Sequence, residues 1–118
     1  MFVAVAVSRG AVGVDVELVS EPRSPRFWER ILTEEEKSEY LSEPDTAKTC
    51  FVISRWTAKE ALFKKSDGEA FVPSAISVDF KRVKTKKLTI GDEEYFCSVA
   101  TDTPDKIKIY GVDLTEIL

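Results

Sequence analysis

Three carboxylates and one lysine carry the chemistry of this sequence. Asp15 and Glu17 stand two apart in the alternating run GVDVEL, and Glu60 and Lys64 stand four apart in WTAKEALFKK. In a strand, successive side chains point to opposite faces, so Asp15 and Glu17 share one face while Val14, Val16 and Leu18 share the other. In a helix, Trp56, Glu60 and Lys64 fall on one stripe, a turn apart. Each pattern alone has an ordinary explanation: acidic residues guard the exposed face of an edge strand, and a Glu–Lys pair beside a half-buried tryptophan is a common surface ion pair. Together, two carboxylates from a strand, one from a helix and a lysine one turn on suit Mg²⁺, which takes a few carboxylate oxygens along with phosphate oxygens and water. The lysine can meet the phosphates directly, so the expected ligand is a pyrophosphate ester. The chain has no histidine, which leaves a carboxylate as the expected general base.

These residues need a strand and a helix to hold them, and the surrounding pattern supplies both. Phe2 to Ser8, a reversal at Arg9-Gly10, and Val12 to Leu18 read as a hairpin. After Pro22 and Pro25, Phe27 to Leu32 reads as a short helix, and Thr33 to Glu36 spells a capping box for a helix over Thr33 to Leu41. The longest helical pattern spans Thr46 to Lys65 and is closed by Ser66-Asp67-Gly68. Four later runs, Ile76 to Phe80, Lys87 to Ile90, Tyr95 to Ala100 and Lys106 to Leu114, are β-branched or aromatic-rich and separated by Gly, Asp or Pro, which predicts strands. Strands, then helices, then strands make an α+β arrangement in a single domain over residues 1–118.

Composition narrows the function classes. A length of 118 residues with 43% hydrophobic content supports one modest core. A net charge of −4 argues against a general nucleic-acid binder, and the apolar opening Met1 to Val7 lacks a basic n-region and is too short to span a bilayer. Cys50 and Cys97 lack the paired spacing of a zinc or redox motif, so reduced, buried thiols in a cytoplasmic protein are expected. The run KRVKTKK, residues 81–87, holds five basic residues in seven. It reads either as a solvated turn between strands or as a patch that attracts an acidic partner.

The two motifs resemble a known family. GVDVE at 13–17 followed by WTAKEALFKK at 56–65 is similar to the paired signature of the 4'-phosphopantetheinyl transferases, with Glu60 lying 43 positions after Glu17, as in that family. RFWERILTEEE at 26–36 resembles the segment between the motifs in the short holo-acyl-carrier-protein synthase group. The resemblance implies a transferase-like fold, an antiparallel sheet packed against a long helix and shorter helices. It implies transfer of the phosphopantetheine arm of coenzyme A to a serine of an acyl or peptidyl carrier protein, with Mg²⁺ held by Asp15, Glu17 and Glu60, and release of 3',5'-adenosine bisphosphate. Lys64 would stabilise phosphate oxygens, and Glu60 is the candidate base. Trp56 is assigned to packing. Lys59 points about 100° away from Glu60 around the helix; contact with coenzyme A or the carrier, and a solvated lysine, both stay open for it.

The DVE triplet is like that of long, two-domain members, whereas the length is like that of the short group, which assemble as trimers. The Ser-His coenzyme-binding segment of long members has no counterpart in the twelve residues before Gly13. A neighbour would then complete the pocket, which implies a homo-oligomer, a trimer ahead of a dimer. The competing reading is an inactive transferase-like carrier-binding module or partner subunit. The crowding of three carboxylates, which repel unless a cation joins them, favours the enzyme.

Overall fold

The computed structural model describes residues 10–110, apart from Asp67 and the side chain of Asp105. Three strands, β1 (Gly13–Leu18), β2 (Val83–Ile90) and β3 (Glu93–Ala100), form an antiparallel sheet in the order β1-β3-β2. Between β1 and β2 come three α-helices, α1 (Phe27–Ile31), α2 (Glu34–Ser42) and α3 (Asp45–Ser66), and a 3₁₀ turn over Pro73–Ala75. The architecture is α+β, as the order of sequence patterns predicts. Among the described residues no helix is long and apolar enough to cross a membrane.

Register turns the sheet's α3 face into three cross-strand rows. Gly13, Ala100 and Val83 form one row, Asp15, Ser98 and Thr85 the next, and Glu17, Phe96 and Lys87 the third. α3 lies on these rows, and each row meets what its chemistry matches. Ala58 and Ala61 pack on Ala100 and Val83, while Ile53 and Val52 join Ile31, Leu32 and Phe96 in a second apolar cluster. Between them runs a chain of hydroxyls: Thr85 Oγ1 lies 2.7 Å from Ser98 Oγ, Ser98 donates to Thr57 Oγ1 at 2.9 Å, and Thr57 donates to Ser54 O at 3.0 Å. Because the Ser98 proton goes to Thr57, Thr85 is the donor to Ser98, and the chain has one direction.

The opposite face of the sheet gathers Leu88, Cys97, Val99 and Ile109, with Val14 and Val16 of β1 packed against them. The alternation in GVDVEL therefore sorts as its period requires, valines to one face and carboxylates to the other. Cys50 and Cys97 are free thiols.

Among the described glycines the tightest approach is made at Gly13. A Cβ there would lie 2.0 Å from Ala61 O and 2.6 Å from Lys65 N. Only a residue without a side chain lets the backbone of α3 come down onto β1 at this point. Gly91, at φ +64°, supplies the left-handed residue of the two-residue turn between β2 and β3.

The helices match the sequence pattern closely. Thr33 caps α2 by accepting from Glu36 N at 3.2 Å, while Glu36 Oε1 accepts from Thr33 N at 2.9 Å. The strands match less well. Ile76–Phe80, predicted as a strand, follows the 3₁₀ turn begun by Pro73 and has no ladder partner among the described residues; it leads instead into the turn closed by Arg82 N on Asp79 O. The basic run 81–87, read in one alternative as a turn, enters β2 at Val83. Pairing with β3 there overrides the low strand preference of lysine. Of the predicted Lys106 to Leu114 strand, Lys106 ends a 3₁₀ turn over Pro104–Lys106 and Ile107 to Tyr110 make no ladder among the described residues; residues 111–114 lie outside them. The predicted first strand, Phe2 to Ser8, also lies outside them.

Candidate active site

The close crossing at Gly13 brings the last turns of α3 over the carboxylate face of β1. Lys64 Nζ, one turn beyond Glu60, donates to Asp15 Oδ1 at 3.0 Å and to Val14 O at 3.3 Å. Asp15 is 9% exposed, and its Oδ2 is buried with no hydrogen-bond partner among the described residues. Burial pushes the Asp15 carboxyl up to about 7; Lys64 pulls it down, and Glu17 and Glu60 add smaller upward pushes. Burial raises Glu60 as well, against the pull of Lys64 and with a push from Glu17. The four residues named from sequence thus form one electrostatic neighbourhood. Among the described residues, however, no three carboxylate or thiol side chains converge tightly enough to make a metal-binding group.

Glu17 shows why. Both of its oxygens have partners: Oε1 accepts from Trp56 Nε1 at 2.8 Å, and Oε2 accepts from Arg23 Nη2 at 3.0 Å. Trp56 is a packing residue, as expected, edge-on to Phe27 at 5.3 Å and to Phe71 at 5.4 Å between ring centroids.

Lys59 requires a revision. Its side chain is fully buried, and its ammonium donates to Glu36 Oε1, to Ile31 O at 2.7 Å and to Pro73 O at 3.0 Å. An ammonium has three protons, so all of its donors are used within the fold and none is left for coenzyme A or a carrier. Glu36, which also caps α2, has Arg55 Nε 3.3 Å from its second oxygen. Lys59 therefore ties α3 to the end of α1, the start of α2 and the turn at Pro73.

The basic run is similarly committed in part. Lys84 and Lys86 donate to Ile107 O at 2.8 Å and Ile109 O at 3.3 Å, and Lys87 lies 2.8 Å from Glu94 Oε2.

A family model described as the 4'-phosphopantetheinyl transferase superfamily matches residues 11–108, a span that holds both motifs and Asp15, Glu17, Glu60 and Lys64. The chain belongs to that superfamily. It is a phosphopantetheinyl transferase by family. Among curated relatives, the holo-[acyl-carrier-protein] synthases of Streptococcus pyogenes serotype M12 (strain MGAS2096) and serotype M5 (strain Manfredo) are each 28% identical to it over 99 residues, which is 80% of this chain and 75% of theirs. A solved structure described as apo-ACPS from Chronobacterium ammoiniagenes superposes with a TM-score of 0.45 at 17% identity, covering 75% of this chain and 93% of that one.

Two contributors to the site of this transferase escape a reading by motif. Arg23 is the partner of Glu17, and its only signal in the sequence is a lone arginine between Pro22 and Pro25, six residues after that carboxylate. Phe71, which closes over Trp56, stands in a loop with no pattern to single it out.

Proposed function

We propose that this transferase moves the 4'-phosphopantetheine arm of coenzyme A onto a serine of an acyl or peptidyl carrier protein, in a Mg²⁺-dependent displacement that releases 3',5'-adenosine bisphosphate. The observation that carries the reading is Asp15: a buried carboxylate with one oxygen on Lys64, the other without a partner, and Glu60 close enough to raise its proton affinity. An orphaned, buried anionic oxygen is costly unless a cation meets it. Hard carboxylate oxygens are the donors Mg²⁺ takes, and it commonly uses one or two of them with substrate phosphates completing the shell. Asp15 and Glu60 would hold the ion. When bound, it would neutralise the pyrophosphate and stabilise charge developing on the transferring phosphoryl group.

The chain's own groups account for the rest. The side chain of Lys64 is 49% exposed, so its ammonium can bind phosphate oxygens while still bonded to Asp15. Glu60, directly or through a water, takes the proton of the carrier serine as the serine oxygen attacks the β-phosphorus. The bond from that phosphorus to the bridging oxygen breaks, and 3',5'-adenosine bisphosphate departs. A carboxyl with raised proton affinity is suited to that work. We assign the assembly to a homo-oligomer, a trimer ahead of a dimer, in which a neighbour completes the coenzyme pocket; sedimentation equilibrium returning a 13.3 kDa monomer under assay conditions would overturn it.

The deciding experiment is mass spectrometry of an apo-acyl-carrier-protein incubated with the chain, coenzyme A and Mg²⁺. One phosphopantetheine added to the carrier serine, and lost in Glu60→Gln and Asp15→Ala, is the expected result. No addition on several carriers, with carrier binding retained by calorimetry, would make the domain a binding module.

A further inference from the structure

Arg23 stands against the carboxylate face of β1 in the loop that follows it, and the backbone holds it there. Nη1 donates to Leu18 O at 3.1 Å and to Glu21 O at 2.7 Å, Nη2 reaches Glu17 Oε2 at 3.0 Å, and the guanidinium carbon lies 5.8 Å from the centroid of the Phe27 ring. Its side chain is 15% exposed, against 49% for Lys64. Glu17 and Asp15 project from the same strand face but are placed in opposite conditions. Both oxygens of Glu17 are occupied, one by Arg23 and one by Trp56, whereas Oδ2 of Asp15 has no partner.

We propose that Arg23 is a positioning residue, an internal counter-cation that keeps Glu17 out of the divalent cation's coordination, so that Asp15 and Glu60 hold the ion and Glu17 instead fixes Trp56. This rests on the metal site of the transferase reading. An arginine suits the role because its charge is permanent and its planar fork bonds two backbone carbonyls and a carboxylate at once. With two protein carboxylates in place of three, the ion leans on substrate phosphates to complete its shell, and its affinity for the free chain is correspondingly modest.

Calorimetric titration of Mg²⁺ into the full chain without coenzyme A tests the role independently of catalysis. The titration compares wild type, Arg23→Gln, Glu17→Gln and the double variant, with folding followed by circular dichroism. Releasing a third carboxylate is expected to tighten Mg²⁺ binding by about tenfold in Arg23→Gln. Adding Glu17→Gln to that variant should remove the gain, while Glu17→Gln alone should change affinity by less than about threefold. Arg23→Lys, which keeps the charge but not the fork, should fall between wild type and Arg23→Gln. No gain in a folded Arg23→Gln, or an equal loss from Glu17→Gln in both backgrounds, overturns the proposal. If Arg23→Gln does not fold, Glu17→Gln alone decides: a loss beyond about tenfold makes Glu17 a ligand and overturns the role, and near-wild-type binding upholds it. Carrier labelling by wild type is scored in parallel. Labelling with the wrong cycle overturns only the role of Arg23, and a missing label with the expected cycle overturns the transferase reading while the role stands.

Discussion

Lys64 reaches across 49 positions of sequence to set its ammonium 3.0 Å from Asp15 Oδ1, while the second oxygen of Asp15 stays buried and unpartnered. Half of this carboxylate is satisfied and half is not, and the folded chain holds a proton on it up to about pH 7, against the ordinary 3.8. Between those values the folded state binds a proton that the unfolded state has released, so stability falls as pH rises through the window and the loss is complete above about 7. Asp15→Asn removes the titration. In EDTA, its melting temperature should exceed the parent's at pH 8, with the gap narrowing steadily as pH is lowered towards 4. A gap independent of pH would show that Asp15 is not the group responsible.

On the proposed reading, a divalent cation competes with that same proton. Mg²⁺ should raise the melting temperature of the parent at pH 8 and lose this effect as pH falls below about 7. Titrations in buffers of different ionisation enthalpy should register proton release near neutrality, and Asp15→Asn should abolish both signals.

Glu60, raised by burial and by Glu17 in the metal-free chain, should give carrier labelling an acidic limb: kcat/KM rises with pH, because the base must be ionised to accept the serine proton. Glu60→Gln should lower kcat by about a hundredfold or more and flatten that limb. A Glu60→Gln enzyme with the parent's pH profile would assign the base elsewhere.

Gly13→Ala should be severe for its size. The new Cβ would meet Ala61 O and Lys65 N, which are backbone atoms that cannot rotate away, so β1 and α3 must part, at a cost of about 3 kcal/mol. Gly10→Ala, where nothing lies within 4 Å of the added carbon, is the control expected to change urea stability by under about 0.5 kcal/mol.

Lys59→Ala should cost about 3–5 kcal/mol, since it removes the buried counter-charge on Glu36 Oε1, leaving Arg55 as the remaining cation on that carboxylate, and leaves two carbonyls without their donor. The double variant Lys59→Met, Glu36→Gln should recover part of that loss in urea unfolding, because no uncompensated charge remains. Additive losses would indicate that the two residues act independently.

The local signals in the sequence carried furthest. The capping box Thr33–Glu36 and the long periodic run of α3 are decided by residues three and four apart, and both appear within a residue or two of the expected bounds. The alternation in GVDVEL likewise sorted Asp15 and Glu17 from the valines. What failed was set by distant partners. Ile76–Phe80 has strand composition but no neighbour to pair with among the described residues, while lysine-rich Val83–Lys87 pairs with β3 and is strand. Helical geometry directed Lys59 away from Glu60, but it could not reveal that Ile31, Glu36 and Pro73 would enclose it. Nor could it show that Arg23 would occupy Glu17, since the loop that places it is shaped by hydrogen bonds to backbone carbonyls rather than by a repeating pattern.

The hydroxyl chain from Thr85 through Ser98 and Thr57 to Ser54 works as a detent for α3. Ser98 and Thr57 are completely buried, so a slide of α3 by one turn, about 5.4 Å, would break the bond between them and leave the Ser98 proton without its acceptor. A stranded buried donor costs about 1–3 kcal/mol. Thr57 stands three residues before Glu60 and seven before Lys64 on one rigid helix, so the hydroxyls index both groups over Asp15 without meeting a substrate. The sheet thereby sets where along its length the chemistry takes place.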